Sequence, residues 1–234
     1  MNAIEYLKKY GNTNTYEQDL ERLEQGEPVQ YIVGNVDFYD CPIIVNPSVL
    51  IPRFETEGLV EKVIQKVKNK PHLKIVDLGT GSGCIAIALK KKLDCEMDAV
   101  DISSSALEVA KKNAEINQVA ITFYEGDFLE PLHDTYDVIV SNPPYIAYDE
   151  EIMDIVKKNE PELALYADDK GLICYKKILK DAKKYLRVNG LMAFEIGCEQ
   201  GEILKEVASS FFKEAKISIE KDLQGKNRYL FVEL

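Results

Sequence analysis

The chain has 234 residues, of which 46% are hydrophobic and 29% are charged, and its 29 Lys and Arg against 40 Asp and Glu give a net charge of −11. This is the composition of a globular protein and argues against a disordered, collagen-like or coiled-coil chain. The acidic balance also argues against a broad nucleic-acid surface, because phosphate binding depends on clustered Lys and Arg.

The cysteine spacing bears on whether the chain holds a metal or disulfides, and the hydropathy pattern bears on its location in the cell. The five cysteines are widely spaced and include no Cys-x-x-Cys pair, so the sequence predicts neither a disulfide framework nor a zinc site, and we expect no bound metal. The chain has no apolar run of about 18 residues and its N-terminus lacks the apolar run of a signal peptide. Free thiols and the lack of a membrane signal predict a cytoplasmic protein without membrane contact.

The first part of the chain divides into two short segments. Residues 1–35 are predicted to form a short N-terminal helical segment, with Tyr16, Leu20 and Leu23 facing inward. Residues 36–57 are predicted to form a β-hairpin and a linker, because strand-forming residues flank the turn signal Asp40-Cys41-Pro42. Residues 58–234 are then the main domain.

The main domain alternates between strand and helix patterns, starting at Lys74. Short apolar runs predict strands at 74–78, 97–100, 121–124, 138–140, 191–196, 214–219 and 228–233. Helical periodicity predicts helices at 85–93, 103–117, 171–186 and 200–211. This alternation predicts an α/β fold, with a mainly parallel sheet between two layers of helices. Too few residues separate the last two strands for a crossover helix, so that pair is predicted to be antiparallel.

A glycine-rich loop follows the first of these strands and opens a helix. Its sequence is Asp77-Leu78-Gly79-Thr80-Gly81-Ser82-Gly83. Glycines let the backbone turn sharply and approach a ligand closely. The spacing differs from the G-x-G-x-x-G dinucleotide motif, and the Lys of a phosphate-binding P-loop is absent. The D-x-G-x-G-x-G form resembles the S-adenosylmethionine loop of class I methyltransferases, whereas its alternative interpretation is a tight strand-to-helix turn.

Acidic residues follow the next two strands. Asp101 ends the second strand, where a carboxylate can accept hydrogen bonds from both ribose hydroxyls of a nucleoside. It could also cap the helix that follows. Asp127 could accept from an adenine amino group and Phe128 could stack on the ring, although a turn and a core aromatic would give the same pattern. After the glycine loop, we favour the binding roles.

The fourth strand ends in the segment Ser141-Asn142-Pro143-Pro144-Tyr145. The two prolines stiffen the loop, so the side-chain oxygen of Asn142 and the carbonyl oxygen of Pro143 can face one small polar group. An –NH₂ group has two donors and matches these two acceptors, and Tyr145 offers a flat apolar face beside them. Hydrogen bonds to both N–H groups would stabilise the charge that develops on a planar nitrogen during methyl transfer. A proline-stiffened turn is the alternative.

Several blocks of sequence carry a resemblance to known enzymes. The Asn-Pro-Pro-Tyr motif is shared by amino-methyltransferases acting on adenine-N6, cytosine-N4 and guanine-N2, so it indicates the reaction class. The blocks Pro28–Gly34, Phe38-Tyr39 and Val45–Glu57 resemble the protein-(glutamine-N5) methyltransferases that act on peptide chain release factors. Further similar blocks are Glu160–Leu165, Gly171-Leu172, Phe194–Gly197 with Gln200-Gly201, and Lys221–Arg228.

The resemblance implies a fold, a reaction and a set of site residues. The implied fold is the Rossmann-like class I S-adenosylmethionine-dependent methyltransferase domain, a seven-stranded, mostly parallel sheet with an antiparallel terminal strand, here over residues 58–234. The implied reaction methylates the glutamine of the Gly-Gly-Gln tripeptide of class 1 release factors. The implied cofactor-binding residues, with Asp127 added from the pattern, are Gly79, Thr80, Gly81, Ser82, Gly83, Asp101, Asp127, Phe128 and Asn142. The implied glutamine-binding residues are Asn142, Pro143, Pro144 and Tyr145; Asn142, Pro143 and Tyr145 are the catalytic candidates, and the 53–57 stretch lines the pocket nearby.

The sequence departs from this family in three places, and it leaves two other functions open. Only 27 residues precede Pro28, where the family has a larger helical domain. Phe54 stands where a proline is common, and Phe128 where a tryptophan is frequent. The alternatives are a DNA or RNA amino-methyltransferase, which would lack a target-recognition domain here, and a cofactor-binding assembly protein without activity. We expect a release factor as partner and no direct contact with nucleic acid.

Overall fold

A computed structural model describes residues 2–234 and begins with a small helical segment. Its helices are α1 (Ala3–Tyr10), α2 (Tyr16–Glu24) and α3 (Val29–Val33). They enclose a minor apolar cluster of Leu7, Val29 and Ile32. The predicted inward residues of α2 are partly buried against that cluster.

A β-hairpin connects this segment to the rest of the chain. Strand β1 (Asn35–Phe38) pairs antiparallel with β2 (Cys41–Ile44), and the turn residues Tyr39 and Asp40 both have positive φ. The turn lies one residue earlier than the predicted signal, because a two-residue hairpin turn of this type needs positive φ at both positions and Pro42 cannot adopt it. Side chains of both hairpin strands belong to the core of the main sheet, and the proposed domain boundaries stay a prediction.

The main sheet has seven strands in the order β5-β4-β3-β6-β7-β9-β8. The strands are β3 (Leu73–Leu78), β4 (Cys95–Asp101), β5 (Thr122–Glu125), β6 (Tyr136–Ser141), β7 (Leu186–Glu195), β8 (Lys216–Lys221) and β9 (Asn227–Glu233). Only β9 runs antiparallel to its neighbours, β7 and β8. The predicted α/β fold and antiparallel end are therefore confirmed. The strand order reverses between β3 and β6, which is where ligands bind in open parallel sheets.

The helices lie on both faces of the sheet. They are α4 (Phe54–Val67), α5 (Cys84–Lys92), α6 (Ser104–Ile116), α7 (Asp154–Asn159), α8 (Glu162–Leu165), the short turn α9 (Asp168–Gly171), α10 (Ile173–Asp181) and α11 (Gly201–Phe211). Residues of α4, α5 and α6 join one apolar cluster, and residues of α10 and α11 join the other. Among residues 2–234, no helix has the length and apolar character needed to cross a membrane.

One predicted helix is shorter than expected. The apolar spacing predicts a helix over 171–186, whereas α10 covers Ile173–Asp181, a 3-10 helix continues it over Ala182–Lys184, and β7 begins at Leu186. Asp169, Lys170 and Gly171 have φ of 57°, 55° and 79°, so the chain turns left-handed before the helix can start. After the buried Leu186, the β7 residues Arg187, Val188 and Asn189 are exposed, which interrupts the apolar pattern before Gly190.

Candidate active site

The glycine loop connects β3 to α5 at the sheet edge where the strand order reverses. Gly81 and Gly83 have φ of +54° and +81°, a region that other residues adopt at a cost. A Cβ at Gly83 would lie 3.2 Å from the Cβ of Ala110, so glycine also allows α5 and α6 to pack closely. Thr80 Oγ1 donates to Asp77 Oδ2 at 2.6 Å and ties the loop to the end of β3. The local sequence thus forms an open backbone cradle.

Asp77 lies fully buried beneath this cradle. Its Oδ1 atom has no hydrogen-bond partner among the described residues, and burial raises the pKa of the carboxyl to about 7. A buried carboxylate oxygen without a partner is costly, and it is relieved by a donor or a positive charge from a ligand. Asp77 therefore places a buried carboxyl beneath the cradle without lining the cavity itself.

Asp101 orders the other side of the cradle. Its Oδ2 accepts from the backbone N–H of Gly81 at 2.8 Å, and its Oδ1 accepts from that of Ser103 at 2.9 Å. The N-cap of α6 is Ser103, whose hydroxyl accepts from the Ala106 N–H, so Asp101 does not itself cap the helix. Burial raises the pKa of Asp101, and each of its oxygens keeps a free lone pair for a ligand.

Two further predicted cofactor residues line the same cavity. Phe128 has a φ of +50° and is partly buried beside Gly79. Asp127 Oδ2 accepts from Lys177 Nζ at 2.8 Å, so one oxygen of this carboxylate already has a partner. A contact from Asp127 to an adenine amino group would use its other oxygen.

The Asn142–Tyr145 loop leaves β6 next to the cradle. Among residues 2–234, no donor contacts Asn142 Oδ1 or the Pro143 carbonyl oxygen, so neither acceptor has a partner there. A side chain outside the loop also holds it, because Gln200 Nε2 donates to the Tyr145 carbonyl oxygen at 2.9 Å. A Cβ at Gly171 would lie only 2.0 Å from that same carbonyl oxygen, so the loop is held tightly.

Two cavities meet at Asn142. The glycine-loop cavity has a volume of about 290 Å³, and the residues that line it include the cradle, Asp101, Asp127, Phe128, Asn142 and Pro144. The Arg53 cavity has a volume of about 340 Å³ and is lined by Arg53, Asn142, Tyr145 and Glu195 among others. Of the predicted site residues, Gly83 and the buried Pro143 line neither cavity, and all the others line one or both. Asn142 lines both cavities and lies between the glycine-loop cavity and the Arg53 cavity.

Of the predicted 53–57 stretch at the start of α4, Arg53 lines this second cavity and Thr56 lines the glycine-loop cavity. Arg53 is held by Glu160, which is 5% exposed, through a contact of 2.5 Å between Nη2 and Oε1. Glu160 Oε2 also accepts from the backbone N–H of Ile51 at 3.1 Å. This arrangement fixes the Arg53 side chain at the pocket wall.

Sequence patterns did not assign roles to two buried polar residues beside Asn142. Thr56 Oγ1 donates to Glu195 Oε2 at 2.8 Å, and the two side chains are 3% and 1% exposed. Asn142 Nδ2 donates to Thr56 Oγ1 at 3.3 Å. The sequence indicates Glu195 only as an acidic residue at the end of an apolar strand pattern. No neighbouring sequence feature indicates that Thr56 is its hydrogen-bond partner.

The ionisation of Glu195 affects stability. Burial raises its pKa to about 7 from an ordinary value of 4.5, so the stabilisation present below pH 4.5 is lost as pH rises through about 7. In the cofactor-free protein, we expect the free energy of unfolding of the wild type to fall relative to that of Glu195→Gln by about 2 kcal/mol between about pH 5 and about pH 8. Urea unfolding at both pH values measures this difference. Glu206→Gln, on the exposed face of α11, should follow the wild type, and parallel curves for all three proteins would contradict the assignment.

Comparisons with known proteins agree with this geometry. A family model described as "Methyltransferase small domain" matches residues 56–221. The release factor glutamine methyltransferase of Lactococcus lactis is 46% identical over 215 residues, covering 91% of this chain and 79% of that protein. The protein of the same name from Enterococcus faecalis is 41% identical over 219 residues, covering 92% and 79%.

Solved structures show the same fold at low identity. A methyltransferase from Pyrococcus furiosus superposes with a TM-score of 0.62 at 18% identity, covering 82% of this chain and 87% of that one. A 16S rRNA N2 methyltransferase from Thermus thermophilus, in complex with AdoMet and guanosine, gives a TM-score of 0.60 at 16% identity, covering 85% and 49%. Together with the sequence relatives, the sheet order and the matched family model place this chain in the release factor glutamine methyltransferase family.

Proposed function

We propose that this chain transfers a methyl group from S-adenosylmethionine to the side-chain amide nitrogen of the glutamine in the Gly-Gly-Gln motif of class 1 peptide chain release factors. The observation that carries the proposal is the meeting of two cavities at Asn142, where two acceptor oxygens have no donor among residues 2–234. One cavity suits the methyl donor and the other suits a carboxamide.

The residues of the glycine-loop cavity fit the donor. S-adenosylmethionine, when bound, supplies an electrophilic methyl group on a positively charged sulfur. We assign Gly79–Gly83 to backbone contacts, Asp101 to the ribose hydroxyls, Asp127 to the adenine amino group and Phe128 to a stacking contact with the ring. The buried carboxyl of Asp77 lies beneath this cradle, and when ionised it favours a ligand that brings positive charge close to it.

The residues around Asn142 suit a carboxamide. We propose that Asn142 Oδ1 and the Pro143 carbonyl accept the two N–H groups of the glutamine amide, while Pro144 stiffens the loop and Tyr145 packs against the side chain. Both hydrogen bonds raise the electron density on the nitrogen and stabilise the positive charge that it gains with the methyl group. The nitrogen then releases a proton, so no base is needed before the transfer. Holding two reactants in line can supply roughly 7–11 kcal/mol of the barrier.

The proposal extends to partners and location. A release factor is the protein partner, and the net charge of −11 argues against a nucleic-acid substrate. The five cysteines are free thiols, as expected for a protein of the reducing cytoplasm.

The decisive measurement is mass spectrometry of a purified class 1 release factor after incubation with this protein and S-adenosylmethionine. We expect the peptide with the Gly-Gly-Gln motif to gain one methyl group on the glutamine side chain. A release factor with that glutamine changed to glutamate should stay unmodified. A parallel incubation with DNA and with RNA tests the other amino-methyltransferase function, and methylation found only on nucleic acid would contradict the proposal.

A further inference from the structure

A chain of three polar side chains connects the core to the reacting centre. The sheet register pairs Ser141 with Phe194, so the residues that follow them, Asn142 and Glu195, lie side by side at the same sheet edge. Thr56, in the first turn of α4, lies between their side chains. The three residues come from distant parts of the sequence and meet only in the fold.

The chemistry of the three groups sets the direction of both hydrogen bonds. An ionised carboxylate accepts and cannot donate, and a hydroxyl has a single proton to donate. Because Thr56 donates that proton to Glu195 at 2.8 Å, it has only lone pairs to offer Asn142. The Asn142 amide must therefore turn its –NH₂ group to Thr56 and its Oδ1 away from it.

We propose that Thr56 and Glu195 are positioning residues that lock the Asn142 amide with its Oδ1 toward the substrate carboxamide. The inference rests on the proposed function, because it is the glutamine –NH₂ that needs an acceptor at this point. If the Asn142 amide were reversed, its N–H groups would face the N–H groups of the substrate, and the hydrogen bond would be lost. Thr56 and Glu195 are 3% and 1% exposed, so bulk water has little access to either group.

The protonation state of Glu195 determines whether the Asn142 amide keeps this orientation. A protonated Glu195 can donate to Thr56, and Thr56 can then donate to Asn142, which reverses the whole chain. Burial raises the pKa of this carboxyl to about 7, so both states are accessible near neutral pH. Turnover should therefore rise with pH as Glu195 ionises.

Several ionisable groups surround Glu195, and their effects on its pKa are smaller than the effect of burial. Arg53 and Arg228 lower its pKa and Glu55 raises it, each less than burial does. Burial raises the pKa of the neighbouring tyrosines and of the Cys84 thiol, so these groups stay neutral near pH 7; the tyrosines are Tyr145, Tyr175 and Tyr229.

The first test changes Thr56. Thr56→Val keeps the side-chain shape and removes the hydroxyl, and we expect kcat for release factor methylation to fall about 30-fold, since misplacement of a reacting group can cost about 100-fold. The Kd for S-adenosylmethionine and the KM for the release factor should stay within about threefold of the wild type. Thr56→Ser restores the hydroxyl and should recover most of the turnover. Thr135→Val is the control, because this exposed threonine directly precedes β6, at the opposite end of the strand from Asn142.

The outcomes distinguish orientation of Asn142 by the Thr56 hydroxyl from a role of Thr56 in packing alone. Full turnover in Thr56→Val would overturn the proposal, and so would equal losses in Thr56→Val and Thr56→Ser, because the hydroxyl would then be irrelevant. A wild-type protein that methylates no release factor would refute the proposed function instead. Wild-type activity with an undiminished Thr56→Val refutes only the lock.

The second test changes the charge of Glu195. A glutamine at this position can either accept from or donate to Thr56, so it no longer enforces one direction. We expect Glu195→Gln to lower kcat about tenfold at about pH 8 and to lose the rise of kcat that the wild type shows through about pH 7, at saturating S-adenosylmethionine. A wild-type pH profile that persists in Glu195→Gln would overturn the role of the charge.

Discussion

Replacing Asn142 with alanine is expected to lower kcat about 1,000-fold while the Kd for S-adenosylmethionine stays within about tenfold. Asn142 Oδ1 is one of two acceptors without a donor among residues 2–234, and a methyl group at this position leaves one N–H of the substrate amide unpaired. The lost interaction forms most strongly when the nitrogen carries positive charge, so the loss falls on turnover more than on binding. Steady-state methylation of a release factor measures kcat, and calorimetry measures the donor affinity.

The matched control for this substitution is Asn69→Ala. Asn69 is exposed after the end of α4, far along the chain from both cavities, and its removal should change neither quantity. A turnover of Asn142→Ala within tenfold of the wild type would show that the acceptor pair is not the source of catalysis. Loss of donor binding with unchanged turnover at saturation would instead make Asn142 a cofactor residue only.

Local sequence patterns predict much of the fold. Where they fail to predict it, the physical reason can be identified. The strand patterns predict all seven strands of the main sheet, and the central ones stand out because buried strands of a parallel sheet are nearly continuous apolar segments. The order of those strands depends on pairings between distant residues, such as Ile75 with Val138, which no local window contains. The start of α10 was misplaced because the left-handed turn at Gly171 interrupts a continuous apolar spacing.

The candidate site shows the same division between local and distant information. The glycine loop and the Asn142–Tyr145 loop are contiguous segments whose chemistry depends on neighbouring residues, so the sequence was enough to select them. The Thr56–Glu195 hydrogen bond joins residues 139 positions apart, and only the fold brings them together. Asp127 is a second example, since the strand-end pattern does not indicate its ion pair with Lys177, 50 residues away.

Asp101→Ala is expected to raise the Kd for S-adenosylmethionine about 100-fold. The carboxylate holds the N–H groups of Gly81 and Ser103 at 2.8 and 2.9 Å, and its remaining lone pairs are the proposed partners of the ribose hydroxyls. Hydrogen bonds to a charged group contribute about 1.5–3 kcal/mol each, and two such losses are sufficient for this change in affinity. Asp149→Ala, on the exposed surface, should bind like the wild type.

A donor analogue without ribose hydroxyls separates the two effects of Asp101. If the carboxylate contacts the ribose, the wild type and Asp101→Ala should differ far less in their affinity for the analogue than for S-adenosylmethionine, because the contact is already missing. If Asp101 acts only by ordering Gly81, the same 100-fold difference should persist with the analogue. The four calorimetric affinities form a double-mutant cycle, and a coupling of zero would contradict the assigned ribose contact while leaving the ordering of the loop intact.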